Sequence, residues 1–220
     1  GFPPLAAQSV AAVNAAFAAA AGGGDHGDTT KLEVIDREGN MVSATPSGGW
    51  LQSSPVVPGL GFPLGTRGQM FSLVPGHPNC LAPGKRPRTT LTPSLALKEG
   101  KPYLAFGSPG GDSQDQWALQ FLLNVVEFGM SLQAAVEAPT FTSQHWPSSF
   151  YPRACKPGGL AGEGRIEGSV CEELRARGHL LAVEADFSGG NTLAAGIDQS
   201  AGVLHAAASP RLDPAYAAGW

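Results

Sequence analysis

The side chains able to do nucleophilic chemistry in this sequence are hydroxyls at the edges of β-rich runs. Thr29 follows a glycine-rich approach (Gly22-Gly23-Gly24-Asp25-His26-Gly27-Asp28) and opens the run Thr30-Lys31-Leu32-Glu33-Val34-Ile35. Alternation along that run sets Leu32 and Val34 on one face and Lys31, Glu33 and Ile35 on the other. On spacing alone Thr29 is the first residue of an ordinary strand, and a hydroxyl needs a base beside it to become a nucleophile. A second candidate is the turn Gly107-Ser108-Pro109-Gly110-Gly111, between a strand pattern and a helix pattern. Glycines let a backbone approach a ligand, and amides at a helix start favour negative charge, so Gly110 and Gly111 suit an oxyanion. A tight strand-to-helix turn would use the same glycines. Ser108 is no nucleophile elbow, because Phe106 stands where that motif needs glycine. The histidines (26, 77, 145, 179 and 205) pair with no Ser or Asp in a known catalytic spacing. Cys80, Cys155 and Cys171, odd in number and without a Cys-x-x-Cys pair, suggest packing residues rather than a disulfide framework or zinc site. Gly59-x-Gly61 lacks the third glycine of a dinucleotide loop, so no cofactor is expected.

The elements that must position these residues follow from periodicity. Arg37-Glu38-Gly39-Asn40 turns the chain and Met41-Val42-Ser43-Ala44-Thr45 returns it, a hairpin pattern. Pro, Gly and Ser then dominate from Pro46 to Gly65, and residues 66–88 stay irregular, which in a compact domain marks either a disordered segment or a functional loop. Trp50 and Phe62 suit either packing that loop down, the more ordinary role, or anchoring it over a pocket. Thr89 to Leu97 and Pro102 to Phe106 form a second hairpin around Lys98-Glu99-Gly100-Lys101. A helix runs from about Gln114 to Phe128, with a capping box from Ser113 to Gln116 and an apolar stripe of Trp117, Phe121, Leu122, Val125 and Phe128. A short helix spans Ser131 to Glu137, and residues 138–165 read as loop. A third helix lies in Gly168–Gly178, a strand in Leu180–Asp186, and a last hairpin in Leu193–Ile197 and Val203–Ala208. Strand pairs, helices, then strands make an α+β chain with helices outside stacked sheets.

Composition bounds the function. A length of 220 residues, 42% hydrophobic and 15% charged, fits one domain with a substantial core. The formal charge is −4 and the densest basic cluster is Lys85-Arg86-Pro87-Arg88, which argues against nucleic acid as partner. No uninterrupted apolar run reaches membrane-span length. Residues 1–5 carry no Lys or Arg, so no signal peptide is visible, and both cytoplasmic and periplasmic or secreted locations stay open.

Asp28-Thr29 with Val34-Ile35-Asp36-Arg37-Glu38-Gly39-Asn40, then Gly84-Lys85-Arg86-Pro87, the Gly107–Gly111 turn and Ala208-Ser209-Pro210-Arg211…Ala218-Gly219-Trp220, resembles the small subunit of the γ-glutamyltransferase family. These are N-terminal-nucleophile hydrolases, and the resemblance covers residues 28 to 220. It implies an αββα four-layer sandwich. It also implies that Thr29 first cuts the Asp28–Thr29 bond of a precursor and then serves as both nucleophile and, through its new α-amine, base. Residues 1–28 would then be the tail of a large subunit and 29–220 the small, catalytic one. The large subunit becomes the expected partner and supplies an Arg for the substrate α-carboxylate.

By the same resemblance Ser47 supports the nucleophile, Gly110 and Gly111 form the oxyanion hole, and Thr89 and Thr90 replace two serines that hold the α-carboxylate. Two departures concern substrate. Gly49 stands for an Asn, and the acidic clamp for the γ-glutamyl α-amino group falls near Gln69-Met70, with Arg67 close by. The expected function is an autoprocessing threonine amidohydrolase or acyltransferase acting on γ-glutamyl amides such as glutathione-like compounds. Alternatives are a glutaryl-type acylase, a poly-γ-glutamate hydrolase, or an unprocessed homologue acting as a binding or scaffold protein.

Overall fold

A computed structural model describes residues 29–48, 56–211 and 215–219. The expectations for residues 1–28, for Gly49 and for Trp50 lie outside the described residues.

The first hairpin pairs β1 (Leu32–Ile35) with β2 (Met41–Ala44) in antiparallel register, Leu32 opposite Ala44 and Ile35 opposite Met41. Its turn is closed by Asp36, whose carboxylate accepts from both the backbone and side-chain nitrogens of Asn40 at 2.8 Å, and Gly39 supplies a positive φ of 83°. A four-stranded antiparallel sheet follows, ordered β3 (Ser94–Lys98), β4 (Lys101–Gly107), β8 (Leu193–Asp198), β9 (Val203–Ala208). Strand β3 begins at Ser94, so residues 89–93, expected as its first half, instead run as loop along a cavity. Glu99 and Gly100, both at positive φ, make the tight β3–β4 turn.

Helices α1 (Gln114–Val126) and α2 (Leu132–Glu137) cover one face of this sheet, and the β1–β2 hairpin packs on the sheet against β3, β4 and β8. Helix layer, sheet and hairpin are three layers of the four-layer α+β sandwich. The core between sheet and helices is Leu104, Phe106, Ala118, Phe121, Ala135, Val136, Ala194 and Ala207, with the Phe106 and Phe121 rings 5.4 Å apart. Small residues on β8 let the helices come close: a Cβ on Gly196 would meet Leu104 at 3.0 Å and Leu132 at 3.1 Å. Of the expected stripe, Phe121 is buried while Phe128 lies past the helix end and is exposed.

The loop expected over 138–165 contains two strands. β5 (Phe141–Ser143) pairs antiparallel with β6 (Gly159–Glu163), and β6 pairs parallel with β7 (Leu180–Glu184) across the crossover helix α3 (Gly168–Ala176). The expected capping box is also absent. Ser113 makes no side-chain cap, because Gln116 is recruited by β5: its Oε1 accepts from Ser143 N at 2.8 Å and its Nε2 donates to Ser143 O at 3.2 Å. Ser131 does cap α2, accepting from Ala134 N. Among the described residues no helix is long and apolar enough to cross a membrane.

The C-terminal Ser209-Pro210-Arg211 motif locks this third sheet to the helices. The Arg211 guanidinium is fully buried, donates to Glu163 at 2.6 and 3.0 Å and to the carbonyls of Val136 and Ala138. Burial alone would push the Glu163 carboxyl up, but hydrogen bonds from Arg211 and Arg165 hold it below the ordinary carboxylate range. Phe187, at a left-handed φ of 56°, stacks under Arg165 at 3.6 Å.

Candidate active site

Thr29 precedes β1, and Ser47 follows β2, so the hairpin brings two residues 18 apart in sequence to one end. Thr30 N donates to Pro46 O at 3.0 Å, which extends the ladder past the strand ends. The two hydroxyls consequently meet, Thr29 Oγ1 lying 2.6 Å from Ser47 Oγ. That is a short O–H···O contact. Arg67, from the 3₁₀ turn Thr66–Met70, donates through Nη2 to the same Ser47 oxygen. Its guanidinium also stands 5.8 Å from the Phe150 ring centre.

The inner face of β1 is the polar one. Lys31 and Glu33, on the same strand face as Thr29, point into the protein with side chains only 1% and 3% exposed, while Leu32 and Val34 are about half exposed. Lys31 Nζ contacts Glu33 Oε1 at 2.5 Å and donates to Ser43 Oγ at 2.7 Å. Ser43 Oγ in turn accepts from Ser94 N at 3.0 Å, so the network joins β1 and β2 to β3. The Lys31 stem presses on Gly107, where an added Cβ would fall 2.4 Å from its Cε. Burial pushes the Glu33 carboxyl up to about 7, against the downward pull of Lys31, and burial also lowers the Lys31 ammonium from its ordinary value.

Gly110 and Gly111 sit at the start of a 3₁₀ turn (Gly111–Ser113) that leads into α1. Both need to be glycine. Gly110 has φ 133° with the Trp117 ring 2.3 Å from where a Cβ would lie, and Gly111 has φ 55°. With the Gln114 side-chain amide oriented by its neighbours, its nitrogen donates to Ser108 O at 2.9 Å and its oxygen accepts from Gly111 N at 3.3 Å. The Gly110 amide has no hydrogen-bond partner among the described residues. Phe150 connects the two halves of the site: its ring edge lies 3.4 Å from the Cβ position of Gly111, and its face is toward Arg67.

A cavity of about 610 Å³ opens at Gly111 and is lined among others by Met70, Arg88, Thr89, Thr90 and Arg153. Thr89 is exposed and its Oγ1 accepts from Leu91 N; Thr90 is buried and its hydroxyl has no partner among the described residues. Gln69 is exposed and stands outside this lining, as do Thr29, Ser47 and Arg67. Sequence reasoning thus pointed to residues that the fold gathers into two groups, Thr29–Ser47–Arg67 and Gly111–Thr89–Thr90, and left Gln69 apart from both.

Several residues of the site carry no sequence signal. Asp112, next to the glycine pair, accepts from Ser148 Oγ at 2.9 Å, from Ser149 N at 2.7 Å and from Ser149 Oγ. Arg88 donates to Ser149 Oγ and lies 3.8 Å from Asp112. Arg153, at a left-handed φ of 61°, donates to Ser149 O and reaches Phe71 O at 3.3 Å. Each contact joins segments more than 30 residues apart or depends on an irregular loop. Of the missed group, only Lys31 and Glu33 had a trace, being in step with Thr29.

The layered sheets, the helices outside them and a threonine hydroxyl at the head of a strand define an N-terminal-nucleophile hydrolase fold, the architecture also of γ-glutamyltranspeptidase and cephalosporin acylase structures. The family model for γ-glutamyltranspeptidase matches residues 6–219, and the chain belongs to that family. It is 34% identical over 192 residues to the glutathione hydrolase-like YwrD proenzyme of Bacillus subtilis (strain 168), covering 86% of this chain and 35% of that protein. It is 37% identical over 194 residues to the acylase ACY 1 proenzyme of Pseudomonas sp. (strain SE83), covering 87% and 32%. Among solved structures, LmbA2991 superposes with a TM-score of 0.77 at 55% identity over 84% of this chain and 33% of that one. The chain spans about a third of the length of the curated relatives it matches.

Proposed function

We propose that the chain is the catalytic part of an autoprocessing acyl-transfer enzyme with Thr29 as nucleophile. The observation that carries this is the 2.6 Å contact between Thr29 Oγ1 and Ser47 Oγ at the head of β1. In the first reaction Oγ1 attacks the carbonyl carbon of Asp28. The Asp28–Thr29 C–N bond breaks to an ester, and water hydrolyses that ester, leaving Thr29 with a free α-amine. Residues 1–28 end the large subunit, which remains the partner of 29–220. An α-amine has a reference pKa near 8, so a useful fraction is neutral at physiological pH and can take the Oγ1 proton.

In turnover Oγ1 attacks the amide carbonyl of a small acyl amide and passes its proton to the α-amine. The oxyanion accepts from the amides of Gly110 and Gly111, the latter exchanging its contact with Gln114 for the substrate. Collapse expels the amine, which takes the proton back, and leaves an ester on Thr29. Water or a second amine then accepts the acyl group. Thr89 and Thr90, in the cavity that opens at Gly111, offer hydroxyls to a carboxylate on the acyl chain.

γ-Glutamyl amides are the first substrate class. A glutaryl-type acyl group is the second reading, favoured by one observation: the cation Arg67, not an acid, stands beside Ser47. Losing a charge-assisted hydrogen bond to an α-ammonium group, worth about 1.5 to 3 kcal/mol, costs roughly one to two decades of preference for γ-glutamyl over glutaryl compounds. Mass spectrometry of the full-length precursor tests the nucleophile: a chain beginning at Thr29 is expected, and Thr29→Ala abolishes both cleavage and turnover. Splitting of the Thr29→Ala protein between 28 and 29 would refute the assignment. Values of kcat/KM for γ-glutamyl and glutaryl anilides test the substrate, and a γ-glutamyl advantage of several hundredfold removes the second reading.

A further inference from the structure

Arg67 belongs to none of the elements that carry Thr29, yet its guanidinium reaches the hydroxyl pair. The approach depends on Gly48. Its φ is 70°, and a Cβ there would fall 2.5 Å from Thr66 Oγ1, so only glycine next to Ser47 lets the 3₁₀ turn dock. Once docked, Arg67 Nη2 donates to Ser47 Oγ, and Phe150 covers the guanidinium at 5.8 Å. Arg67 Nε is buried with no acceptor among the described residues. The cavity that opens at Gly111 is lined by Arg88 and Arg153 but not by Arg67. Arg67 is therefore placed to act on Ser47 rather than on a ligand in that cavity.

A guanidinium is a donor only and stays charged at any working pH, so Ser47 Oγ must be the acceptor in this contact. The same oxygen lies 2.6 Å from Thr29 Oγ1. We propose that Arg67 is a positioning residue: through Ser47 it holds and polarises the Thr29 hydroxyl, both in precursor cleavage and in turnover. The inference rests on the reading of Thr29 as nucleophile. When Oγ1 gives up its proton and forms its bond to the carbonyl carbon, negative charge passes through that oxygen. A hydroxyl that is itself hydrogen-bonded to a cation stabilises the charge better than a neutral pair, because charge-assisted hydrogen bonds are about twice as strong. The proton still goes to the α-amine and the leaving group is unchanged.

The test uses the full-length precursor and two variants, Arg67→Met, which keeps the stem, and Arg67→Lys, which keeps the charge. Cleavage at 28/29 is followed by mass spectrometry, and kcat and KM are measured on the cleaved enzyme with γ-glutamyl and glutaryl anilides. Arg67→Met should slow cleavage and lower kcat by about 10- to 100-fold, with KM moving less than about threefold. Arg67→Lys should recover a substantial part of both rates. A rise in KM with kcat unchanged makes Arg67 a substrate contact and overturns the proposal, as does Arg67→Met matching the unaltered protein in both rates. If the unaltered precursor yields neither a Thr29 terminus nor turnover, the nucleophile reading falls and takes this inference with it.

Discussion

Replacing Lys31 with Met should destabilise the protein, and more at alkaline pH than in acid. The substitution keeps the stem against Gly107 and removes the charge. Lys31 is the partner of a Glu33 side chain only 3% exposed, and both Glu33 oxygens lack any other hydrogen-bond partner among the described residues. Breaking a buried pair by removing one member costs about 3–5 kcal/mol, because the remaining charge is uncompensated. Glu33 has an escape, since its carboxyl already sits at about 7 with Lys31 present. Without the ammonium that value rises further, and the folded variant holds a proton that the unfolded chain has released.

The sign follows from linkage. A carboxyl raised in the folded state stabilises fully below its unfolded pKa, near 4.5, and loses that contribution as pH rises through the folded value. Each pH unit in which only the folded state holds the proton costs about 1.4 kcal/mol. For Lys31→Met the loss from pH 5 to pH 8 therefore accumulates to about 4 kcal/mol, of which the parent, whose Glu33 titrates at about 7, already shows about 3 kcal/mol. At 2–4 °C per kcal/mol for a domain of this size, Tm should fall by roughly 6–20 °C at pH 8. The double variant Lys31→Met with Glu33→Leu should come back to within about 1 kcal/mol of the parent with no such pH slope, since apolar replacement of a buried pair is often neutral. Thermal melts of the purified protein at pH 5 and pH 8 decide it. A single-variant loss below about 1 kcal/mol at pH 8, or an equal loss at both pH values, refutes the reasoning.

Three further outcomes are expected. Arg211→Met leaves Glu163 with Arg165 and the Gly189 amide and should cost about 3–5 kcal/mol at pH 7; because the Glu163 carboxyl is held low, the contribution is present above the ordinary carboxylate pKa, so the gap between variant and parent melts should begin to narrow only as pH falls below about 4.5. Gly110→Ala forces a side chain onto φ 133° and into Trp117, adding about 1–3 kcal/mol of strain, and should lower kcat more than KM in anilide turnover. Phe121→Ala empties the space beside Phe106 and should cost about 3–5 kcal/mol by urea denaturation, with the sequence of the mature terminus unchanged.

Local periodicity made the first hairpin, the last hairpin and α1 legible, and family motifs pointed to Thr29, Ser47 and the glycine pair as candidates. Sequence alone could not say which face of β1 points inward, because alternation has a period but no direction. A lysine and a glutamate two apart ordinarily face solvent, yet Ser43 and Gly107 supply them with a buried seat. β5 and β6 were hidden by Pro139, Pro147, Pro152 and Pro157 and by the glycines of β6, which lack the β-branched residues that announce a strand. Their pairing depends on β7 and on Gln116, partners 20 or more residues away. The capping box failed for the same reason: the Gln116 side chain is taken up by a tertiary contact with Ser143.

The polar face of β1 lies where the candidate site is assembled. The polar pair of β1 joins the strand headed by Thr29 to Gly107, which opens the turn carrying Gly110 and Gly111. Ser43 passes the same network to β3. An apolar core would press these elements together without fixing their offset along the strand, whereas hydrogen bonds at 2.7 and 3.0 Å fix it to within a fraction of a residue. The proposed nucleophile and amide donors sit on different elements of the chain, so their relative placement is only as firm as the contacts between hairpin and sheet. The charges that break the apolar pattern of β1 lie where that placement is set.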